Sequence, residues 1–422
     1  MHMSEPRATN NNRRRAVITG LGVIASNGIS KEAFWNALKE GKSGIVKITC
    51  FDASTYSTQI AGEVHNFEPT DFMSPKSARR MDRFCQFGVA ASRMALEDAQ
   101  LEVDDNNGKK IAISIGSALG GLPYCESQHA IFLEKGLNRV DPLLATRLYT
   151  GEASSYMSIE LGIKGPCYTF STGCVAGTDA MGQALTLIRH NVSDVVITGG
   201  AEAPLSPLAF GAFCRIGALS ERNSDPPKAC RPFDKNRDGF VMSEGAGIIV
   251  LEELEHALKR DAHIYAELIG FGATSEAYHM TKPLETAEGT IESIKISLQD
   301  AGIGPDDIDY INAHGTSTPL NDKTETLAFK KVFGPRAHEI PINSTKSMTG
   351  HTIGGSGGIE AVASCLMIEN QFIHPTINYE TPDPECDLNY VPNKGIEANI
   401  NTILSNSLGF GSRMSAIIIK KY

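Results

Sequence analysis

Short apolar, β-branched runs alternate along this chain with longer stretches whose apolar residues recur at helical spacing. The runs lie at residues 16–19, 111–115, 195–198 and 248–251. Continuous apolar runs of this length are typical of strands that are buried on both faces of a sheet. Between them, residues 87–99 and 177–189 have the amphipathic pattern of helices. The alternation predicts an α/β protein.

Two patterns occur twice, in the same order, about half the chain apart. Residues 94–121 and 296–318 both run from a helix end through an acidic loop and a strand to a small-residue turn. Residues 171–188 and 349–368 both lead from a small-residue loop into an apolar helix. Coincidence among Gly- and Ala-rich segments is the alternative, but the preserved order favours a duplication.

The duplication predicts an N-terminal half of residues 14–265 and a C-terminal half of residues 266–422. Similar halves related by a pseudo-twofold axis bring equivalent loops together, so a site at their junction would combine residues of both. Residues 1–13 have no apolar signal core, and we expect them to form a disordered lead-in.

Composition and charge narrow the class of protein. Hydrophobic residues make up 41% of the chain and charged residues 21%, which is typical of a globular protein. The net charge of −10 argues against binding to nucleic acid through a basic surface. Nine cysteines form no CxxC pair, which favours free thiols over a disulfide framework or a zinc site. No apolar run approaches the roughly 20 residues of a membrane helix, and a cytoplasmic location is expected.

Cys174 is the one cysteine whose surroundings suggest chemistry. It lies between a Gly-rich turn and the start of the helix predicted over residues 177–189. The positive end of a helix dipole favours the thiolate, which is the nucleophilic form. A strand, a tight turn and a helix in this order also expose nucleophiles in other enzymes. A buried structural cysteine is the alternative, and the local context alone does not decide between them.

Two loops pair a histidine with Gly, Ser and Thr. His314 follows the apolar run of residues 308–311, at the carboxyl end of a predicted strand. Ligands of open α/β sheets bind at that end of the strands. His351 lies in a loop before a Gly-rich stretch and a helix, five residues after Lys346. One such histidine is often only a hydrogen-bonding residue, but two in similar loops favour a functional site.

Four blocks carry these residues, in the order STGCVAGTDA, NAHGTSTPLND, STKSMTGH and SNSLGFG. Together they resemble the β-ketoacyl-[acyl-carrier-protein] synthase family, and the resemblance extends from residue 14 to the C-terminus. Longer blocks at residues 231–247, 277–283 and 386–392 match the same family. The resemblance implies the thiolase fold, a five-layer αβαβα body of two pseudo-symmetric halves. This agrees with the duplication.

The resemblance also implies the reaction, a decarboxylative Claisen condensation. Cys174 would attack the acyl thioester and hold the chain. His314 and His351 would bind the malonyl thioester carbonyl and assist decarboxylation. The backbone N–H groups of Cys174 and Phe410 would form the oxyanion hole. No metal and no bound cofactor are expected, because the 4'-phosphopantetheine group arrives on the acyl carrier protein, the implied partner.

Further roles follow from the same resemblance. Lys346 would orient the site, paired with Glu360, and Asp322 and Glu325 would be supporting residues. The positions that match substrate-binding, phosphopantetheine-binding and gating residues are Phe213, Phe240, Thr281, Thr316 and Phe410. Those implied to line the acyl tunnel near a dimer interface are Ala118 and Leu119.

The subfamily is less sharply marked. Residues 171–174, 203–207 and 383–388 resemble ketosynthase-α subunits of type II polyketide synthases, whereas Glu202 and residues 405–410 resemble the elongating enzyme of fatty-acid synthesis. After Gly409-Phe-Gly the fatty-acid enzymes usually continue Gly-Thr-Asn. This chain has Ser412-Arg413-Met414. We therefore favour a polyketide ketosynthase paired with a chain-length-factor paralogue, with a fatty-acid homodimer as the alternative.

Two other classes fit less well. A degradative thiolase would use a second cysteine near the C-terminus, but no cysteine follows Cys386. A chain-length factor, a binding subunit without catalysis, replaces the nucleophile, whereas this chain keeps Cys174 and both histidines.

Overall fold

The computed structural model describes residues 13–422. The predicted disordered lead-in of residues 1–13 lies outside this range except for Arg13, whose guanidinium pairs with Asp300 at 3.1 Å. No helix of the described part of the chain is long and apolar enough to cross a membrane.

The two-residue strand Gly28–Ile29 pairs with the first strand of the central sheet, and the N-terminal half contributes five strands to the main path of that sheet. These are β1 (Ala16–Ala25), β2 (Ile111–Gly116), β3 (Cys167–Phe170), β4 (Val195–Glu202) and β5 (Gly245–Glu253). Their order is β1-β5-β4-β2-β3. The β1–β5 and β5–β4 pairs are antiparallel, whereas the β4–β2 and β2–β3 pairs are parallel.

The C-terminal half repeats this arrangement. Its strands are β6 (Ala266–Ser275), β7 (Tyr310–Asn312), β8 (Ile342–Asn343), β9 (Thr402–Gly409) and β10 (Arg413–Lys420). The order β6-β10-β9-β7-β8 has the same sequence of antiparallel and parallel pairs as the first half. A short antiparallel pairing of β1 with β6 joins the halves. Two similar halves are therefore present, as the internal repeats predicted.

Helices complete the layers. They are α1 (Lys31–Glu40), α2 (Pro75–Ala78), α3 (Arg83–Asp98), α4 (Leu122–Lys135), α5 (Leu144–Arg147), α6 (Glu152–Leu161), α7 (Ala176–Arg189), α8 (Pro207–Arg215), α9 (Leu254–Lys259), α10 (Glu288–Ala301), α11 (Pro319–Phe333), α12 (Lys346–Thr349) and α13 (Ser356–Asn370). Helices α7 and α13 contact strands of both halves, while α3 and α6 cover one outer face and α10 the other. The five-layer αβαβα thiolase fold is confirmed.

The two inner helices are buried between the halves, and their composition allows it. Residues 356–368 of α13 are all buried, and its apolar side chains join the largest core cluster. Glycine permits the closest approach to the sheet, since a Cβ at Gly358 would lie 2.1 Å from the carbonyl oxygen of Gly247. The loops before α7 and α13 occupy equivalent positions in the two halves, so they meet in the middle of the molecule.

Candidate active site

Cys174 lies in a 3-10 turn, Gly173–Val175, between β3 and α7. Gly173 has a φ of +70°, a left-handed conformation that glycine adopts without strain. Cys174 is 9% exposed, and the backbone N–H of Phe410 lies near enough to its sulfur to lower the pKa of the thiol. The two residues predicted to form an oxyanion hole are therefore brought together.

The state of the thiol differs from the sequence-based expectation. Burial raises the pKa of Cys174 to about 11, and the N–H of Phe410 and the positive charge of Lys346 oppose this shift only in part. The expectation of a lowered pKa was wrong because it considered the helix start but not the packing of the two halves around the sulfur. The raised pKa favours the neutral thiol as the resting form of Cys174.

His314 follows β7, and its backbone is fixed by a buried carboxylate. The N–H groups of His314 and Gly315 donate to Glu325 at 2.6 and 2.8 Å. Burial raises the pKa of Glu325 to about 7, although the side chain of Asn406 also donates to it at 2.9 Å. Glu325 therefore supports the loop that carries the histidine.

His351 follows α12 and precedes α13. Its Nδ1 lies 2.9 Å from Oγ of Ser356, which fixes the plane of the ring. The rings of His351 and His314 meet edge to face, with centroids 5.2 Å apart. Burial and the positive charge of Lys346 hold the pKa of both histidines well below the usual range, so both rings are neutral.

Lys346 and Glu360 form an ion pair behind the two histidines. Their side chains are 1% and 2% exposed. A buried charge is tolerated only when it is paired, so each of these residues depends on the other.

Asp322 is buried as well. It accepts a hydrogen bond from the N–H of Phe233 at 2.8 Å and lies 3.5 Å from the guanidinium of Arg237.

A cavity of about 360 Å³ opens onto these groups. Its walls contain eight of the predicted residues: Cys174, Phe213, Phe240, Thr281, His314, Thr316, His351 and Phe410. The ring of Phe213 stacks on Phe410 with centroids 6.3 Å apart and meets Phe240 edge to face. Thr281 is exposed at the mouth, whereas Thr316 is buried. The predicted nucleophile, histidines and gating residues therefore share one pocket.

Ser412, the first residue of the Ser-Arg-Met departure, ties together two loops at the mouth. It has a φ of +59°. Its Oγ donates to the carbonyl oxygen of His279 at 2.8 Å and accepts from the N–H groups of Tyr278 and His279 at 3.3 and 3.1 Å. The loop of Phe410 and the loop of Thr281 are thereby joined.

Ala118 and Leu119, predicted to line an acyl tunnel near a dimer interface, do not line this cavity, and their place in such a tunnel stays a prediction. Their N–H groups instead donate to the carboxylate of Glu202, at 2.6 and 3.1 Å. Ala118 does pack against the apolar cluster that contains Cys174. Glu202 is a site residue that the sequence reasoning did not select. The signal was an acid at the end of an otherwise apolar strand.

The chain matches two family profiles in succession. One is described as the β-ketoacyl synthase N-terminal domain and matches residues 13–257, and the other is described as the C-terminal domain and matches residues 265–380. A 3-oxoacyl-[acyl-carrier-protein] synthase 2 of Synechocystis sp. is 47% identical over 410 residues, which cover 97% of this chain and 99% of the relative.

Two solved structures are similar over the same span. One is the ishigamide ketosynthase/chain length factor, with a TM-score of 0.91 and 39% identity. The other is a type II polyketide synthase acyl-carrier protein in complex with its ketosynthase, bound to the hexaketide, with a TM-score of 0.90 and 39% identity. Each match covers 97% of this chain and 100% of the solved chain.

Proposed function

The chain belongs to the β-ketoacyl synthase family of condensing acyltransferases, and from that premise we propose that it elongates fatty acyl chains carried by an acyl carrier protein. One observation carries the mechanism. A buried cysteine and two neutral histidines line the same cavity. The 47% identity to a 3-oxoacyl-[acyl-carrier-protein] synthase 2 supports the fatty-acid assignment.

The first half-reaction loads Cys174. Its sulfur forms a bond to the carbonyl carbon of the acyl thioester, the bond from that carbon to the pantetheine sulfur breaks, and the thiol proton leaves with the departing sulfur. The backbone N–H groups of Cys174 and Phe410 stabilise the oxyanion of the tetrahedral intermediate. The N–H of Phe410 lowers the pKa of the Cys174 thiol, and this supports the assignment because the N–H must then lie near the reacting atom.

The second half-reaction uses His314 and His351. A neutral imidazole donates one hydrogen bond, and the two rings together stabilise the negative oxygen that develops when the malonyl group loses carbon dioxide. The resulting enolate carbon attacks the acyl-cysteine, the bond from the acyl carbon to sulfur breaks, and the thiolate of Cys174 takes up a proton from solvent. The apolar cavity protects the enolate from premature protonation.

The phosphopantetheine arm of the carrier protein enters at the mouth of the cavity in this proposal. Thr281 is exposed there and Thr316 lies deeper, so each offers a hydroxyl at a different depth. Burial, assisted by the positive charge of Lys346, keeps both histidines neutral. A positively charged imidazole would bind the malonyl carboxylate and oppose its loss, so this effect favours decarboxylation.

A polyketide ketosynthase is the second candidate. The Ser412-Arg413-Met414 segment and the two similar solved ketosynthases favour it. The 3-oxoacyl-[acyl-carrier-protein] synthase 2 relative is more similar in sequence, at 47% identity against 39% for the solved ketosynthases. The comparisons therefore support the fatty-acid function better than the polyketide function that the sequence favoured. The partner differs between the two candidates: a second copy of this chain, or a chain-length-factor paralogue.

The edge strand β3 supports a dimer in either case. It ends the sheet, and its first two residues, Cys167 and Tyr168, are exposed. An exposed strand edge pairs readily with another strand. We propose that the partner subunit pairs there, which is a second copy of this chain if the fatty-acid assignment holds.

The test is condensation by the purified chain alone. With fatty acyl-carrier protein and malonyl-carrier protein, the proposal predicts a homodimer that forms a 3-oxoacyl product two carbons longer. Activity that appears only after a Cys-lacking paralogue is added would instead favour the polyketide candidate. Absence of any condensation under both conditions would contradict the proposed reaction.

A further inference from the structure

Ile353, two residues after His351, has a backbone conformation that β-branched residues avoid. Its φ is +46°, where the Cβ crowds the backbone. The side chain is nevertheless 3% exposed and lines the cavity, in an apolar cluster with Cys174 and Phe240. A strained residue of this kind persists only where its surroundings over-determine its conformation.

The carboxylate of Glu202 supplies such a constraint at the next residue. The side chain is completely buried, and its Oε2 accepts hydrogen bonds from the N–H groups of Gly354 at 3.1 Å and Ala118 at 2.6 Å. A Cβ at Gly354 would lie 2.7 Å from this oxygen, so glycine is what allows the approach. Three further donors reach Oε1 at 3.1–3.2 Å: Ser117 Oγ, Leu119 N and Gly120 N.

Only a carboxylate satisfies all five donors. An amide has one acceptor oxygen, and its NH₂ group would face at least two of these donors whichever way it turned. A buried N–H without an acceptor is unfavourable, so the neighbouring backbone would shift.

We propose that Glu202 is a positioning residue of the active site, whose carboxylate joins Gly354 to the turn of residues 117–120 and so holds Ile353 in the left-handed conformation that shapes the acyl-binding wall. Glu202 acts through Ile353 and touches no reacting atom. That this wall binds an acyl chain rests on the proposed function, whereas the coupling of Glu202 to Ile353 does not.

A mutant cycle in urea unfolding tests the coupling. Glu202→Gln should lower the unfolding midpoint. Glycine adopts positive φ without strain, so this decrease should be at least halved in the Ile353→Gly background. Ile353→Ala is the matched control, because it removes the side chain but keeps the Cβ, and in that background the decrease should be unchanged.

Equal decreases in all three backgrounds would overturn the proposal. If Glu202→Gln alone does not fold, the proposal predicts that Ile353→Gly restores a folded protein and that Ile353→Ala does not. Restoration by both substitutions, or by neither, would also overturn it.

A kinetic comparison separates positioning from general damage. Glu202→Gln should slow acylation of Cys174 by acyl-carrier protein about tenfold, while alkylation of the same thiol by iodoacetamide changes less than about threefold. Equal slowing of both reactions would contradict a role in the acyl-binding wall. If the unsubstituted protein is not acylated at all, the proposed function fails, and the unfolding cycle still decides whether Glu202 holds Ile353.

Discussion

Removal of one charge from the buried Lys346–Glu360 pair should destabilise the protein more than removal of both. The side chains are 1% and 2% exposed, so Lys346→Met leaves a buried carboxylate without its cation. Breaking such a pair on one side typically costs about 3–5 kcal/mol, whereas an apolar replacement of both partners is often nearly neutral. For 422 residues unfolding in one transition, this corresponds to a decrease in Tm of about 3–6 °C.

The assay is a double-mutant cycle in thermal and urea unfolding, with Lys346→Met, Glu360→Met and the combined variant. We expect the combined variant to be more stable than either single variant, because no uncompensated charge remains. Additive losses would refute the reasoning, since they would mean that each side chain is stabilised independently of the other.

Three further predictions concern other parts of the chain. His351→Ala should retain acylation of Cys174 but lose most decarboxylation of malonyl-carrier protein, and normal release of carbon dioxide would contradict its role. Burial raises the pKa of Glu152 to about 8, so between about pH 5 and 8 the native state keeps a proton that the unfolded state releases. The free energy of unfolding should therefore decrease as the pH rises from about 5 to 8. Glu152→Gln should reduce that fall in urea unfolding, and an unchanged pH profile would contradict the shift. Ser412→Gly, which suits the positive φ, should speed amide exchange at residues 278 and 279, and unchanged exchange would show that Oγ does not hold the loop.

The reacting residues could be found from the sequence because each lies in a local pattern. Cys174 and His314 stand in small-residue segments that follow strands, where α/β sheets bind ligands, and His351 stands in a similar Gly-rich loop before a helix. The duplicated pattern also predicted that loops of both halves meet, and the repeated strand order shows why they do. These features depend on residues near one another along the chain.

The remaining features depend on contacts between distant segments. Glu202 bonds Ala118, 84 residues before it, and Gly354, 152 residues after it, and no local pattern contains those distances. The raised pKa of Cys174 arises from burial by both halves, which the helix start alone does not indicate. The backbone N–H groups of Ala118 and Leu119 donate to Glu202, a contact that the family resemblance of their loop does not indicate.

The account depends above all on Cys174 as the residue that carries the acyl chain. Intact-mass spectrometry after incubation with acyl-carrier protein measures this directly. We predict a mass increase equal to one acyl group on the unsubstituted protein and none on Cys174→Ala, with Cys214→Ala as a control that still becomes acylated. An acyl adduct that persists in Cys174→Ala would contradict the account.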